Sequence, residues 1–583
     1  MPAPGDIVFV SRRSQLAFSN PVRIFSAIAL AEVKPCLQRV AAEVAQGLYA
    51  AGFLSYEAAP AFDPALSAHP GAELPLAWFG LYRAPASGPP QQISNQASFQ
   101  VGPWQALVSA ETYHRQVQRI RELIVSGDTY QINYTFPLQA AFQGDTFAWF
   151  QQLCAAQQAD HCAFAQAGRF HLLSASPELL LKKDGAALTM RPMKGTARRG
   201  RSAEADRQAA RALAESPKDR AENVMIVDVL RNDLSRVARP GSVEVARLFE
   251  VERYPTVWQM TSTVVAQSDS GVPEILAAVF PSGSVTGAPK IRATQIIREL
   301  EPYPRGIYCG TIGWCSPDGQ AQFNVAIRTV TVDTQAGIAR YHVGGGVTYG
   351  SSPEGEYAEC LAKAEVLSCP LPEFELLESL RWDNGYFLLD EHLDRLAESA
   401  AYFDFSFSRP AIEQALEQYV RPNAGRVGAA GSAPATALKM RLLLRRDGSC
   451  HIEAEPLKPL TSLRVGLAAA AVDEDQVWLY HKTTQREIYR QALASRPDCE
   501  DVILWNRRGE LTESTLANLV LELDGRFWTP PVACGLLAGT FRRHLLEASV
   551  IQERVLRPAD LKRARSIRLI NSVRGWIDAR WVD

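Results

Sequence analysis

The spacing of apolar residues changes along this chain, and the changes mark its elements. Over 111–128, "ETYHRQVQRIRELIVSGD", hydrophobic residues recur every three or four positions and a glycine closes the run, which predicts an amphipathic helix with a defined stop. Shorter β-rich runs follow, "RFHLLSASPELLLKK" at 169–183 and "AIRTVTVD" at 326–333. The mixture predicts an α+β fold. After "LSCPLPEFE", 367–375, the pattern restarts with a strand-like "FELLESLRW", the turn "DNG" and a further strand, so the main division of the chain is expected there. A Pro-, Ser- and Gln-rich stretch, 84–99, predicts a loop at a softer boundary, and the small-residue run 424–437 predicts a flexible insertion. The expected organisation is a subdomain over 1–100, a catalytic domain over 101–370 and a separate domain over 371–583, with no internal repeat.

Length agrees with this division, because 583 residues exceed what one core can bury and suggest three or four structural units. With 47% hydrophobic and 21% charged residues, the composition is that of a soluble globular protein. Its 61 basic and 63 acidic residues create no global positive field, which argues against a nucleic-acid partner and for small substrates. The first residues, "MPAPGDIVFVSRRSQ", lack the apolar run of a signal peptide, and no stretch of ~18 apolar residues appears elsewhere. A cytoplasmic location without membrane association is expected. Ten cysteines without a C-x-x-C pair argue for reduced thiols.

Candidate chemistry begins with glycine-rich loops. In "FPSGSVTGAPKIRATQII", 280–297, and "YHVGGGVTYG", 341–350, backbone N–H groups can approach an anion closely. Asp219 and Glu222 are three residues apart, as are Glu356 and Glu359, so each pair shares a helix face. Such oxygen-rich faces either suit a hard cation such as Mg²⁺ or are simply solvated. Lys194 in "RPMKGTARRG" is equally open: a solvated charge, an anion-binding lysine or a nucleophile.

The order of the segments is more specific than any of them alone. "GDTYQINYTF", "SASPELLL", "RPMKGT", "ENVMIVDVLRNDL", "FPSGSVTGAPK", "RGIYCGTIGW", "FNVAIRT" and "GGGVTYGSSPEGEYAE" resemble, in sequence and in order, the chorismate-utilising enzymes of the aminodeoxychorismate synthase component I type. The resemblance covers roughly 250 residues and implies an α/β sandwich whose substrate is chorismate. It implies that Glu222 and Glu359 hold Mg²⁺, with Asp219 and Glu356 as neighbours through water, and that the ion offsets carboxylate charge. Tyr308, Arg328, Lys363, Thr286 and the backbone of Gly344, Gly345 and Gly346 are implied in substrate binding, Arg328 because a guanidinium fork matches a carboxylate. Glu178 is implied as general acid/base, the alternative being a capping carboxylate. Lys194 is implied as the amine that attacks ring carbon 2, expels the hydroxyl, and is displaced when ammonia adds at carbon 4. That role requires an uncharged amine, favoured by burial or a nearby cation, for which Mg²⁺ and Arg191 are the expected sources. Two positions depart from relatives: Gln131 stands where isochorismate-forming enzymes have a lysine base, and Gln259 where many have histidine. Met193 replaces the commoner isoleucine of "IKGT", a volume-conserving change. The "LLES" pattern associated with feedback tryptophan is missing from the N-terminal region.

In the second half, "HLDRLAESAAYF", "YHKTTQREIYRQAL", "DVILWNRRGELTESTLANLVL", "WTPPVACGLLAGTFRRHLL" and "NSVRGW" resemble fold-type IV pyridoxal phosphate enzymes, most closely aminodeoxychorismate lyase. This implies a two-lobed domain in which Lys482 bonds the pyridoxal 5'-phosphate and moves protons, and Glu513 pairs with the pyridine nitrogen. Arg395, Ser572, Thr540 and Phe541 are implied in the phosphate cup, the last two through N–H groups opening a helix. Taken without the resemblance, Lys482, Glu513 and Arg395 are surface charges. Together the halves imply a bifunctional enzyme making 4-aminobenzoate, the first half aminating chorismate and the second eliminating pyruvate. The alternative is an anthranilate- or salicylate-type enzyme fused to an aminotransferase-like or non-catalytic dimerisation domain. No cysteine has the setting of a glutaminase nucleophile, so ammonia is expected from a separate glutamine amidotransferase subunit or free in solution. The fold-type IV resemblance also allows a homodimer through the second half.

Overall fold

The computed structural model describes residues 5–12, 14–70, 73–88, 98–367, 373–424, 437–460 and 462–583. Most of the expected 84–99 loop, the boundary residues 368–372 and nearly all of the 424–437 insertion lie outside the described residues. Within the first of these, Ala86–Gly88 forms a short strand against Gln15–Ala17 instead of a loop. The chain divides into two compact units, one of Met1–Arg199 with Ala209–Leu371 and the other of Gly200–Gln208 with Pro372–Asp583.

Among the described residues the first unit contains an 11-stranded and a 10-stranded sheet, built almost wholly from antiparallel pairs. Strands from before residue 100 enter both: Ile7–Val10 and Gln15–Phe18 belong to the larger sheet, Tyr49–Leu54 and Ala77–Tyr82 to the smaller. Apolar side chains of the two sheets meet in one buried cluster, with Ile7, Phe18 and Leu172 from one and Phe53, Trp78 and Ile312 from the other. Helices cover the outer faces, as in an α/β sandwich.

The strand Gln131–Gly144 shows why the centre of the sandwich is polar. Ile132, Tyr134, Phe136 and Leu138 point to one face and join the core beneath the helices, while Gln131, Asn133 and Thr135 point to the other. The latter three are buried as well, so each needs a hydrogen-bonding partner. Helix Ala110–Val125 closes the outer face with Tyr113, Val117, Ile120 and Leu123, capped by the Ser109 hydroxyl accepting from Thr112 N at 3.2 Å.

Beneath this polar face lies Arg305, only 2% exposed. Its guanidinium forms a fork with Glu301, at 2.7 and 2.9 Å, and donates to the carbonyls of Val285 at 2.8 Å and Asn133 at 2.7 Å. Glu301 Oε1 also accepts from Thr135 N and Oγ1, both at 2.9 Å. Tyr56 lies under the guanidinium, 4.7 Å from its carbon.

The second unit has two lobes. One packs helices Leu389–Phe403 and Arg409–Ala424 on a 3-stranded sheet, Leu376–Trp382, Leu438–Leu444 and Cys450–Pro456. The other is an 8-stranded sheet whose end strand Leu511–Ser514 also pairs with Asn518–Leu523. The strand expected after "DNG" is not there: a single bridge joins Trp382 to Tyr386, Leu388 adopts a left-handed conformation, and helix Leu389–Phe403 begins. The period of that helix's apolar residues outweighs the hairpin signal of the turn. Among the described residues nine cysteines are free thiols, and no helix is long and apolar enough to cross a membrane.

Arg305→Leu leaves Glu301 buried without its cation, and the expected cost is about 3–5 kcal/mol, read as a lower urea midpoint for the first unit. Arg298→Ala, exposed on the helix that precedes Glu301, is the control and should shift it by no more than about 0.5 kcal/mol. Equal midpoints for the two variants would show that the buried pair contributes nothing.

Candidate active sites

In the first unit, a cavity of about 340 Å³ opens between the two sheets. Its walls include Lys194, Glu178 and Ser284 on one side, Asn133, Tyr308, Gly344 and Gly346 on the other, and Asp219, Glu222, Glu356, Glu359 and Lys363 at the rim. Lys194 sits on strand Met193–Arg198. That strand is held by Asn223 Nδ2 donating to Lys194 O at 3.2 Å and Gln259 Nε2 donating to Gly195 O at 2.9 Å. Gln259 also accepts from Thr196 Oγ1 at 3.1 Å, so the side chain standing in place of histidine braces the lysine's strand. Gly195 has φ +98°, and a Cβ there would meet Asp219 Cβ at 3.1 Å, so glycine lets helix Pro217–Ser235 come close.

Burial pushes the Lys194 amine below its ordinary pKa, against the pull of Glu222, and Lys363 pushes the same way. Arg191, the expected second cation, pairs instead with Glu252. The cation beside the amine therefore comes from helix Pro353–Ala364, brought in by tertiary packing. Glu178 is 2% exposed, and burial raises its carboxyl to about 7 despite a 2.5 Å hydrogen bond donated by Ser284 Oγ. Gly346 makes room for the amine: a Cβ on it would lie 2.9 Å from Lys194 Nζ and 2.1 Å from Gln131 Nε2. Tyr308 stacks on His342 with centroids 5.3 Å apart. Arg328 has a left-handed φ of +51° and donates to the Lys363 carbonyl. Thr286 is turned from the cavity, its hydroxyl donating to Ser282 O at 2.9 Å, and Gly345 faces Glu356 on the opposite side of the strand from its neighbours.

All four acidic residues named for Mg²⁺ line the cavity, but they do not converge. Among the described residues no three acid, histidine or cysteine side chains form a metal cage. Ser351 Oγ donates to Glu356 at 2.6 Å, and Lys363 Nζ bridges Glu359, at 2.7 Å, and Gly344 O, at 2.8 Å. Burial raises the Glu222 and Glu356 carboxyls, and neighbouring acids raise both further. Lysines face two of these acids, Lys363 at Glu359 and Lys218 at 4.0 Å from Glu222, and the four carboxylates still fit a hydrated Mg²⁺, which needs only one or two of them and keeps several waters.

The second unit has its own cavity of about 330 Å³, lined by Lys482, Arg395, Glu513, Thr540, Phe541 and Ser572 among others. Burial and the Arg395 cation bring the Lys482 amine down to about 8. Burial lifts the Glu513 carboxyl to about 7. Tyr489 OH donates to Glu513 at 2.8 Å, Asn518 Nδ2 at 3.1 Å and Leu537 N at 3.2 Å. Thr540 and Phe541 open helix Thr540–Glu547, and Ser572 is 7% exposed nearby. A buried amine below its usual pKa, a buried acid to which no cation is bonded among the described residues and a helix N-terminus beside Arg395 together fit pyridoxal phosphate.

Several residues that shape these cavities escaped sequence reading. Glu378, on the strand read as "FELLESLRW", is 1% exposed and takes a fork from Arg395 at 2.6 and 2.8 Å. His392 Nδ1 lies 2.6 Å from the same carboxylate, and its Nε2 lies 3.2 Å from Thr540 Oγ1. Burial would raise Glu378, but Arg395 and His392 bring it to about 2. Its signal was an acid at a core-facing position of a strand. Ser284 and Tyr489 carried no local signal, since the acids they bond are remote in sequence, and although Glu301 and Arg305 lie four residues apart, what buries them together, Thr135 and the carbonyls of Asn133 and Val285, is remote as well.

Comparison with known proteins follows this geometry. A family described as chorismate binding enzyme matches residues 5–368, and one described as amino-transferase class IV matches residues 375–581. The chain is 40% identical over 296 residues to aminodeoxychorismate synthase component 1 of Salmonella typhimurium, covering 50% of this chain and 63% of that protein. To the protein of the same name from Escherichia coli it is 41% identical over 276 residues, covering 47% and 60%. The matches thus span less than two thirds of these relatives. The crystal structure of anthranilate synthase component I from Streptococcus pneumoniae matches with a TM-score of 0.54 at 23% identity, over 61% of this chain and 92% of that one, a likeness of fold. The first family match takes in more than half of the 583 residues, and the chain therefore belongs to the chorismate-utilising enzymes and carries a class IV amino-transferase domain behind that module.

Proposed function

We propose that the first unit aminates chorismate to 4-amino-4-deoxychorismate and that the second eliminates pyruvate from it, giving 4-aminobenzoate. The observation that carries this reading is the Lys194 amine, disfavoured as an ammonium, in one cavity with the buried Glu178 acid. The likeness to aminodeoxychorismate synthase component 1 supports the substrate.

In the first reaction, uncharged Lys194 bonds ring carbon 2 while the hydroxyl at carbon 4 leaves as water, taking its proton from Glu178. Ammonia then bonds carbon 4 and the Lys194 nitrogen departs, restoring the diene. Arg328, Lys363 and the N–H groups of the Gly344–Gly346 run bind the substrate's carboxylates. Glu222 and Glu359, with Asp219 and Glu356 as neighbours, would hold Mg²⁺, which would supply positive charge against the ring carboxylate. Ammonia comes from a separate glutamine amidotransferase subunit.

In the second unit, pyridoxal phosphate supplies an electron sink when bound. Arg395, Ser572 and the N–H groups of Thr540 and Phe541 hold its phosphate, and Glu513 keeps a proton at the pyridine nitrogen. Lys482, with a pKa near 8, accepts the ring proton at carbon 4, and aromatisation drives the loss of pyruvate.

Incubation with chorismate, Mg²⁺ and ammonium salt distinguishes the steps. The wild type should yield 4-aminobenzoate, Lys194→Ala little turnover, and Lys482→Ala accumulated 4-amino-4-deoxychorismate; anthranilate or salicylate as the product would overturn the reading. Because Glu178 acts with its proton on and burial pushes its carboxyl up to about 7, chorismate turnover measured at a constant, saturating concentration of free ammonia should fall as pH rises through about 7. Glu178→Gln should lose about 10²–10⁴-fold in rate and lose that inflection.

A further inference from the structure

Resting on the reading of the first unit as a chorismate site, we propose that Asn133 is a specificity-determining residue whose side-chain N–H donates to an oxygen of the bound substrate. Asn133 lines the cavity and is 7% exposed, yet its Nδ2 is buried and makes no hydrogen bond among the described residues. A buried donor left unmade is destabilising, and folded proteins rarely keep one without cause. Of the polar side chains around it, the hydroxyl of Thr135 is engaged with Glu301 and that of Ser284 with Glu178, while Gln131 Oε1 on the same strand face and His342 Nδ1 in the cavity wall are, among the described residues, also buried without a partner.

The main chain at Asn133 is held firmly. Asn133 N donates to Thr286 O at 2.8 Å, and Asn133 O accepts from Arg305 Nη2 at 2.7 Å. Arg305 is itself locked by Glu301, and the strand pairs Asn133 with Gly346, beside Lys194. The side chain thus projects from a fixed strand, and a group held this way discriminates well because relaxing away from a poor ligand is costly. The ligand it selects is an oxygen-rich anion that sets an acceptor oxygen against the amide. Ligands offering only C–H or a donor at that point leave Nδ2 unpaired and are rejected.

The test compares wild type, Asn133→Leu and Asn133→Asp for chorismate affinity by titration calorimetry with Mg²⁺, for kcat/KM with ammonium salt, and for thermal midpoint. Leucine removes the unpaired donor at similar volume, so its midpoint should equal or exceed the wild type's while chorismate affinity and kcat/KM fall about tenfold or more. Aspartate keeps the shape but offers an anionic acceptor, and should lose more than leucine. Should the leucine chain fail to fold, the aspartate variant decides by the same binding measurement. Affinities of both variants within twofold of the wild type, with the wild type turning over chorismate, would overturn the role of Asn133 and leave the proposed function standing. A wild type that neither binds nor converts chorismate overturns the proposed function itself, and the wild-type control alone reveals it.

Discussion

A guanidinium shut away from water holds the first unit's centre in place. Arg305 is bonded to Glu301, to Val285 and to the strand of Asn133, and its own N–H is fixed by Glu57 Oε1 at 2.7 Å. A charge in this setting is tolerable only when every donor is met, so the segments that meet them cannot drift independently. Those segments form the cavity walls. The polar face of strand Gln131–Gly144, the loop of Ser284 and Val285 and the turn before Tyr308 are all referred to one buried group.

The second unit uses the same device with the signs exchanged. There a carboxylate, Glu378, is the buried group, and Arg395 and His392 meet it. In both units the charge that organises the wall is distinct from the groups expected to do chemistry. This separation matters physically, because a charge saturated by partners makes a rigid support and a poor reagent. Lys194, Lys482, Glu178 and Glu513 are incompletely compensated, and burial shifts each toward its neutral form.

Tolerance of incomplete compensation extends to the acidic rim and to Asn133. Glu222 and Glu356 carry raised pKa values beside other acids, and Asn133 keeps an unmade bond. Each is destabilising to the free protein, and a ligand of matching charge or hydrogen-bonding character would relieve it. A site of this kind trades folding stability for selectivity.

Much of this was legible in the amino-acid sequence. The alternation of Ile132, Tyr134 and Phe136 with Gln131, Asn133 and Thr135 already divides a strand into a core face and a polar face, because side-chain direction in a strand depends on local geometry alone. The helical spacing of Asp219 with Glu222 and of Glu356 with Glu359 is local in the same sense, and motif order identified the family. Tertiary structure alone decided which charges compensate which. It put Lys363 beside Lys194 and turned Arg191 to Glu252, buried Glu178 against Ser284, and replaced the strand expected after "DNG" with a helix. A pKa or a buried ion pair depends on distance in space, and folding sets these distances between residues that lie tens to hundreds of positions apart in the chain.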